Sequence, residues 1–328
     1  MKTSAARAVI AAASLALAPA GGAFAQVFPQ RTITIVAPTA AGGPGDIAAR
    51  GVADRMSSIL GQTIVIENMA GAGGLQGTAR VARAEPDGYT LLVHQTGIAF
   101  APALDPPPPF NVEKDLTTVG LVNTSYHVLV GRKSLAPAGL AGLIAWMKTP
   151  GNQTRFAHPG SGTLGHLATL VFARSVGVEV DAVSYRGVAP AMTDIVGGHV
   201  DLVWGGAAVA SQLIAAGTIK GYVIGGPKRL DRIPEVPHAQ EAKQPALDMP
   251  FWHAMFAPAA TPKPVIDKLN AALNEALADA KVIKSYADGG AEPFPANMRS
   301  PEVANAFVKS EIARWSGVVR LNAAKMKQ

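Results

Sequence analysis

Glycine-rich turns are the part of this sequence best suited to binding a small molecule. Many of the 34 glycines in the 328 residues fall in turns at 39–46, 68–77 and 159–165, with a shorter turn at 186–187. Each turn is expected to join a strand to a helix, where unpaired backbone N–H groups lie at the positive end of the helix dipole. The combination suits an anion, most simply a carboxylate. For any single turn, a purely conformational role of its glycines remains an alternative.

The third turn also matches a dinucleotide-binding pattern. Gly160, Gly162 and Gly165 form Gly-x-Gly-x-x-Gly between a predicted strand and a predicted helix, and Asp181 follows at about the 20-residue spacing of that pattern. An exported α/β oxidoreductase that holds a dinucleotide here is therefore an alternative function. A lone fingerprint of this kind is weak, and we expect no cofactor.

Other signatures of catalysis are missing from the sequence. It contains no nucleophile elbow, no P-loop lysine motif and no His-Glu-x-x-His, so we predict no catalytic residue. It has no cysteine, and its seven histidines lack the spacing of a zinc site, so we predict no metal. Basic residues do not alternate with aromatic ones as nucleic-acid binding requires. With 48% hydrophobic and 16% charged residues the chain is expected to be globular.

The first 25 residues have the three parts of a secretory signal peptide. Lys2 and Arg7 precede an apolar run at 8–18, and Ala23 and Ala25 place small residues before a cleavage point at Gln26. The apolar run is too short to anchor the chain in a bilayer. The sequence therefore predicts a signal peptide at 1–25 and a periplasmic mature protein.

Strands and helices alternate around the turns. Strands are predicted at 31–38, 63–67, 89–94, 155–158, 182–185, 201–204 and 221–225, and helices at 47–60, 78–84, 166–176, 190–196 and 207–216. This alternation predicts parallel βαβ units. Near the end, Thr261 is expected to cap a helix that runs to Gly289, and Ser300 to begin another with the apolar stripe Val303, Phe307, Ile312, Trp315 and Val319.

Two extended segments, at 116–131 and 249–258, are long enough to pass from one globular unit to another. We expect an α/β protein of two lobes joined by two crossover strands, with lobe 1 at 26–125 plus 252–328 and lobe 2 at 126–251. Turns at the carboxyl ends of parallel strands would then face a cleft between the lobes.

Five segments of the chain read IVAPTAAGGPGD (35–46), VIENMAGAGG (65–74), PDGYTLL (86–92), SYRGVAPA (184–191) and APAATPKPVIDKLN (257–270). Together they resemble the Bug/TctC family, the periplasmic solute-binding proteins of tripartite tricarboxylate transporters. The resemblance covers nearly the whole chain after the leader. It implies a two-lobed type II periplasmic-binding-protein fold, closure on a small carboxylate, and delivery to membrane permease subunits. We expect a monomer.

The resemblance also implies that turns 39–46 and 159–165 hold a carboxylate through backbone amides, hydroxyls and bridging waters. A cap is an alternative role for Asp46 and His166, and a surface salt bridge for Arg186. The predicted ligand-binding residues are Thr39, Ala41, Gly42, Gly43, Gly45, Asp46, Gln95, Thr96, Ser161, Gly162, Thr163, Leu164, Gly165, His166, Arg186 and Gly205.

At the cleft the sequence departs from the family pattern. Members usually carry an aromatic residue where Thr39 stands, a hydroxyl residue where Gly45 stands, and often Asp-Asn where this chain has Gly205 and Gly206. The missing carboxylate argues against an amino-acid ligand, whose ammonium group would need a counter-charge. We expect a roomier, more apolar pocket and an organic acid of apolar or aromatic character. A ligand-sensing subunit of a signalling system, which shares the fold, remains a further alternative.

Overall fold

The structure is a computed structural model that describes residues 28–104 and 106–326, with side chains as far as Asn322. The predicted signal peptide lies outside the described residues. The strands are β1 (Ile33–Ala37), β2 (Ile64–Asn68), β3 (Thr90–Gln95), β4 (Leu116–Ser125), β5 (His127–Arg132), β6 (Arg155–His158), β7 (Asp181–Ser184), β8 (Leu202–Gly206), β9 (Ile219–Ile224), β10 (Phe251–Pro258) and β11 (Ala291–Pro293).

Ten α-helices occur in the same part of the chain. They are α1 (Pro44–Leu60), α2 (Leu75–Ala82), α3 (Val112–Asp115), α4 (Gly139–Met147), α5 (Leu164–Val176), α6 (Val188–Gly197), α7 (Ala207–Ala215), α8 (Lys263–Ala278), α9 (Ala280–Asp288) and α10 (Pro301–Met326). None of these described helices combines the length and apolarity needed to cross a bilayer.

The strands form two sheets, one for each part of a two-lobed α/β fold. The first has the order β11-β4-β10-β3-β1-β2, and the second has the order β7-β6-β8-β5-β9. As predicted, β1 is parallel to β2 and β3, and β6 is parallel to β7 and β8. Strand β10 enters the first sheet antiparallel, between β3 and β4.

The chain passes between the sheets at two places. It leaves the first sheet at Ser125 and enters the second at His127, and it returns after β9 through an irregular segment that leads into β10. Strand β10 is buried along its whole length because it lies in the middle of the first sheet.

The predicted end of helix α1 is correct, but the helix begins three residues earlier than predicted. Gly61 has the left-handed backbone (φ 66°) of a residue that terminates a helix. The helix begins at Pro44 rather than at 47, because proline tolerates the first helical turn and its fixed φ favours it there.

The C-terminal predictions need three corrections. The N-cap of α8 is Pro262, with no side-chain cap, so Thr261 does not cap it. The predicted single helix is two, because Asp279 leaves the helical conformation and its carboxylate accepts from the Lys281 N–H to start α9. Val303, expected in the apolar stripe of α10, is 40% exposed, whereas Ile312, Trp315 and Val319 are buried.

Candidate ligand-binding cleft

The turn between β1 and α1 is fixed by a buried carboxylate. Asp46 is 3% exposed and accepts hydrogen bonds from the Gly42 N–H (2.9 Å), Nε of Arg50 (2.9 Å) and Nδ2 of Asn68 (2.9 Å). Burial by itself would raise the pKa of Asp46, but these hydrogen bonds outweigh it and the pKa is lowered. The N-cap is Gly43, so Asp46 lies in the first turn and stabilises the loop from there. Its oxygens are thus engaged within the protein.

The same turn has one hydroxyl that makes no hydrogen bond. Oγ1 of Thr39 is buried and has no partner among the described residues. A β-carbon added at Gly45 would lie 3.1 Å from this oxygen and 3.2 Å from Cγ2 of Thr39. Thr39 therefore fills the space that a side chain at position 45 would need. The two departures from the family pattern, at positions 39 and 45, therefore compensate for each other. The hydroxyl of Thr39 lies where the family usually has a hydroxyl from residue 45.

The turn between β6 and α5 depends on glycine at two positions. Gly160 (φ 120°) and Gly162 (φ 75°) have left-handed backbones that other residues adopt only at a cost. Thr163 caps the helix: its Oγ1 accepts from the His166 N–H (3.3 Å) and donates to the Gly160 carbonyl (2.7 Å). Thr163, not His166, is thus the capping residue, and the turn leaves the start of α5 facing the first lobe's turns.

The two lobes approach each other at these turns. A β-carbon added at Gly73, in the turn that precedes α2, would lie 3.9 Å from the carbonyl oxygens of Ser161 and Gly162. Gly206, where β8 meets α7, would direct a side chain into open space, whereas a β-carbon at Gly205 would lie 2.8 Å from Sδ of Met192. Of these two glycines, only Gly206 therefore has open space next to its α-carbon that a ligand could occupy. The sequence-based residue set omitted both Gly73 and Gly206, although the glycine pattern of both turns was visible.

Beneath the 159–165 turn, two histidine rings stack on each other. His158 ends β6 and His166 lies in the first turn of α5; their ring centroids are 4.1 Å apart and their planes differ by 16°. Both are buried, and neither Nδ1 has a hydrogen-bond partner. Burial lowers the pKa of His158, and burial together with the neighbouring His158 lowers that of His166 to about 4. Both rings are therefore uncharged at neutral pH, and the stacked pair supports the turn without adding a charge to it.

Other residues of the predicted set have different surroundings. Thr96 is fully buried, and its Oγ1 accepts from the backbone N–H of Trp252 (2.9 Å) at the start of the returning crossover. The Leu164 side chain lies in the core, while Ala41, Gly42, Ser161 and Arg186 are exposed. Gln95 is half-buried at the end of β3. Gly165 packs against Pro159, since an added β-carbon would lie 2.6 Å from Cδ of that proline.

The dinucleotide fingerprint is not supported by the sheet register. In β7, Asp181 is paired with Arg155, the first residue of β6, whereas the glycine turn follows His158 at the opposite end of that strand. A fingerprint acid must lie near the glycine turn to reach the ribose of the same nucleotide. The glycines of 160–165 are explained instead by the tight turn and by the contact with Pro159.

A small cavity lies behind the 159–165 turn, next to the first crossover. It measures about 10 Å³ and is bordered by His127, Trp204 and Met249 together with Leu164, Gly165, Ala168 and Gly225. Nδ1 of His127 and Nε1 of Trp204 are buried and have no hydrogen-bond partner. No sequence signal pointed to this cavity, because its lining comes from five separate segments of the chain.

The sequence model of the tripartite tricarboxylate transporter family receptor (TctC) matches residues 48–323. The match runs from within α1 into α10 and includes the second sheet, the first sheet apart from β1, and the glycine turns at 68–77 and 159–165. This chain belongs to the TctC family. The family prediction made from the five sequence segments is therefore confirmed.

Solved structures of binding proteins share the whole fold. MatC from Rhodopseudomonas palustris, solved with bound malate, is 37% identical, with a TM-score of 0.81 over 89% of this chain and 100% of that one. The periplasmic binding protein BugD is 35% identical, with a TM-score of 0.80 over 89% and 98%. R. palustris Rpa4515, solved with adipate, is 30% identical, with a TM-score of 0.80 over 89% and 97%. The two-lobed type II periplasmic-binding-protein fold is thus confirmed.

Proposed function

We propose that this TctC-family chain is a periplasmic solute-binding protein that captures a small organic carboxylate by hinge closure and delivers it to the permease of a tripartite tricarboxylate-type transporter. Its role requires no covalent chemistry. Its two lobes correspond to 26–125 plus 252–328 and to 126–251, and residues 1–25 are the export signal.

The observation that carries this proposal is the approach of glycine turns from the two sheets. The turn 71–74, which leads into α2, meets the turn 160–162, which leads into α5. The first N–H groups of a helix have no partner within the helix, so they are available to an anion. A carboxylate between the lobes would bind both helix starts at once, and its binding energy would favour the closed arrangement.

The relatives support the same ligand class. MatC was solved with malate and Rpa4515 with adipate, both of them carboxylates, and BugD is described as a periplasmic binding protein. Since this chain is similar to each of them over 89% of its length, we infer that it binds a carboxylate, and its similarity to BugD supports a periplasmic location.

The unpaired hydroxyl of Thr39 is the side-chain group we assign to the bound carboxylate. A buried hydroxyl without a partner is unusual in a folded protein and is satisfied when an acceptor arrives. Gly42 is exposed and Gly43 is half-buried beside this hydroxyl, and Asp46 holds their turn in place.

A thermal-shift screen over aliphatic and aromatic mono- and dicarboxylates tests the function. We expect stabilisation by at least one organic acid, no turnover of that acid, and a smaller radius of gyration by X-ray scattering once it is bound. Absence of any stabilising carboxylate would contradict the proposal. Tight binding of citrate or aspartate would contradict the apolar or aromatic character that we assign to the ligand.

Thr39→Val provides the matched test of the cleft. Valine keeps the shape against Gly45 and removes the hydroxyl, so we expect the dissociation constant of the best acid to rise by about 5- to 10-fold, the effect of one hydrogen bond. The unfolding midpoint without ligand should change little, because the hydroxyl has no partner in the protein. Unchanged affinity in isothermal titration calorimetry would remove Thr39 from the binding site.

A further inference from the structure

The cavity behind the 159–165 turn has an apolar lining with two exceptions. Leu164, Ala168 and Met249 supply hydrocarbon. The exceptions are His127 and Trp204, each of which carries a buried nitrogen without a hydrogen-bond partner, Nδ1 and Nε1 respectively. Trp204 is 1% exposed, so its N–H cannot reach bulk solvent. Buried polar atoms almost always have a partner, so we expect each of these two nitrogens to bind a water or a ligand group.

The position of the cavity ties it to the ligand cleft. Leu164 and Gly165 are the first residues of α5, directly after the turn we assign to the carboxylate. His127 is paired across the sheet with Gly206, the glycine that opens into free space. An acid held by its carboxylate at the start of α5 therefore has this cavity close to the rest of its chain.

No charged group lines the cavity. Its seven bordering residues include no lysine, arginine, aspartate or glutamate. Burial lowers the pKa of His127 to about 4, so the ring is neutral at neutral pH. A carboxylate placed here would lose its water without gaining a counter-charge, which is strongly unfavourable.

We propose that this cavity receives the distal end of the bound acid and selects an apolar chain ending in a neutral hydroxyl or carbonyl over a dicarboxylate. A hydroxyl fits both orphan atoms, because it accepts from the indole N–H and can donate to or accept from the imidazole. With about 10 Å³ of free space, the cavity holds an end group of about one heavy atom, in the place of one water. The inference rests on the proposed function and names its substrate class.

The test compares three acids at each of several chain lengths. Isothermal titration calorimetry with the aliphatic monocarboxylate, its ω-hydroxy derivative and the corresponding dicarboxylate isolates the end group; hexanoate, ω-hydroxyhexanoate and adipate form one such set. We expect the hydroxy acid of the best length to bind about 10-fold or more tightly than the dicarboxylate, and several-fold more tightly than the plain acid.

Trp204→Phe removes the indole N–H and keeps an aromatic ring in the cavity. We expect it to abolish most of the advantage of the hydroxy acid over the plain acid. Trp146→Phe is the matched control, since Trp146 lies on α4 and does not border the cavity; it should preserve the advantage. Thermal unfolding of each variant checks that the fold is retained.

The possible outcomes distinguish failure of the proposed subsite from failure of the proposed carboxylate-binding function. A dicarboxylate that binds more tightly at every length, or a Trp204→Phe variant that weakens all three acids equally, would overturn the subsite and leave carboxylate capture intact. If no acid of any length or aromatic type binds the intact protein, both proposals fail.

Discussion

Buried histidines are the most unusual side chains at the junction of the lobes. His94, His166 and His253 are each 3% exposed or less, and burial lowers their pKa values to about 4, 4 and 3 respectively. His127 beside them also has a pKa lowered to about 4 by burial. His253 keeps one ring nitrogen paired with Oδ1 of Asn123 at 2.7 Å, whereas its Nε2 has no partner. All four rings are therefore uncharged at neutral pH, and protonating them in the folded protein would cost free energy.

Stability should therefore fall as the solution becomes acidic. In the unfolded chain a histidine has a pKa of about 6.5, whereas in the folded chain the pKa of His94 and of His166 is about 4. The stabilisation is complete above pH 6.5 and is lost between pH 6.5 and about pH 4, by about 1.4 kcal/mol per pH unit for each histidine. Urea unfolding at pH 7, 6 and 5 measures this slope.

Two single substitutions identify the groups responsible. His94→Gln removes one buried titrating ring and should make the pH dependence shallower. His199→Gln changes an exposed histidine after α6 and should leave the slope unaltered. A free energy of unfolding that stays constant between pH 7 and pH 5 would show that these rings accept protons without unfolding the chain.

At the scale of elements, the turn before α5 requires glycine at position 162 because of its backbone conformation. Gly162 has φ 75° and no atom within 4 Å of an added β-carbon, so alanine would meet backbone strain but no collision. We expect Gly162→Ala to lower the free energy of unfolding by about 1 kcal/mol. Thermal or urea unfolding without ligand provides the measurement.

Gly206 offers the control for this substitution. It also has open space around an added β-carbon, but its backbone is extended (φ −62°, ψ 140°), a conformation that alanine adopts freely. Gly206→Ala should leave the unfolding free energy nearly unchanged. Equal effects of the two substitutions would mean that φ at position 162 is not what requires glycine.

At the scale of the whole molecule, helix α10 connects the end of the chain to both lobes. Nη1 of Arg174 on α5 donates to the Leu321 carbonyl (3.2 Å), and Arg314 donates to the Asp248 carbonyl just before the returning crossover. On the same helix Glu311 is buried, and its Oε2 accepts from Nε1 of Trp252 (2.8 Å) and Nε1 of Trp315 (3.0 Å). One carboxylate thus fixes α10 to the strand on which the lobes are joined.

Glu311→Ala should be among the most destabilising changes in the molecule. It leaves two buried indole N–H groups without an acceptor, at a cost of about 1–3 kcal/mol each, so we expect a loss of several kcal/mol in urea unfolding. Glu302→Ala, an exposed glutamate in the first turn of the same helix, should change the unfolding free energy by less than about 0.5 kcal/mol. A Glu311→Ala protein as stable as the Glu302→Ala protein would show that α10 is held by its apolar contacts alone.

Local signals explain which elements the sequence predicted and which it missed. Strand β6 was predicted at its observed bounds, since a glycine turn follows it directly, and the end of α1 was marked by Gly61. Helix α4 was not predicted, because its residues are apolar almost throughout and show no amphipathic period. The break at Asp279 was also missed, since the apolar stripe continues across it and only the cap on Lys281 separates α8 from α9.

The sequence by itself determined the family, the alternation of strands and helices, and the turns whose backbone is left open, because these follow from local spacing and from glycine. Only the tertiary structure decided that Thr39 occupies the space above Gly45, that Thr96 supports Trp252 instead of facing solvent, and that His127 and Trp204 border one uncharged cavity. These relations join residues up to 156 positions apart. Packing between distant segments sets which polar atom loses its water and its partner, and no local pattern in the chain records that outcome.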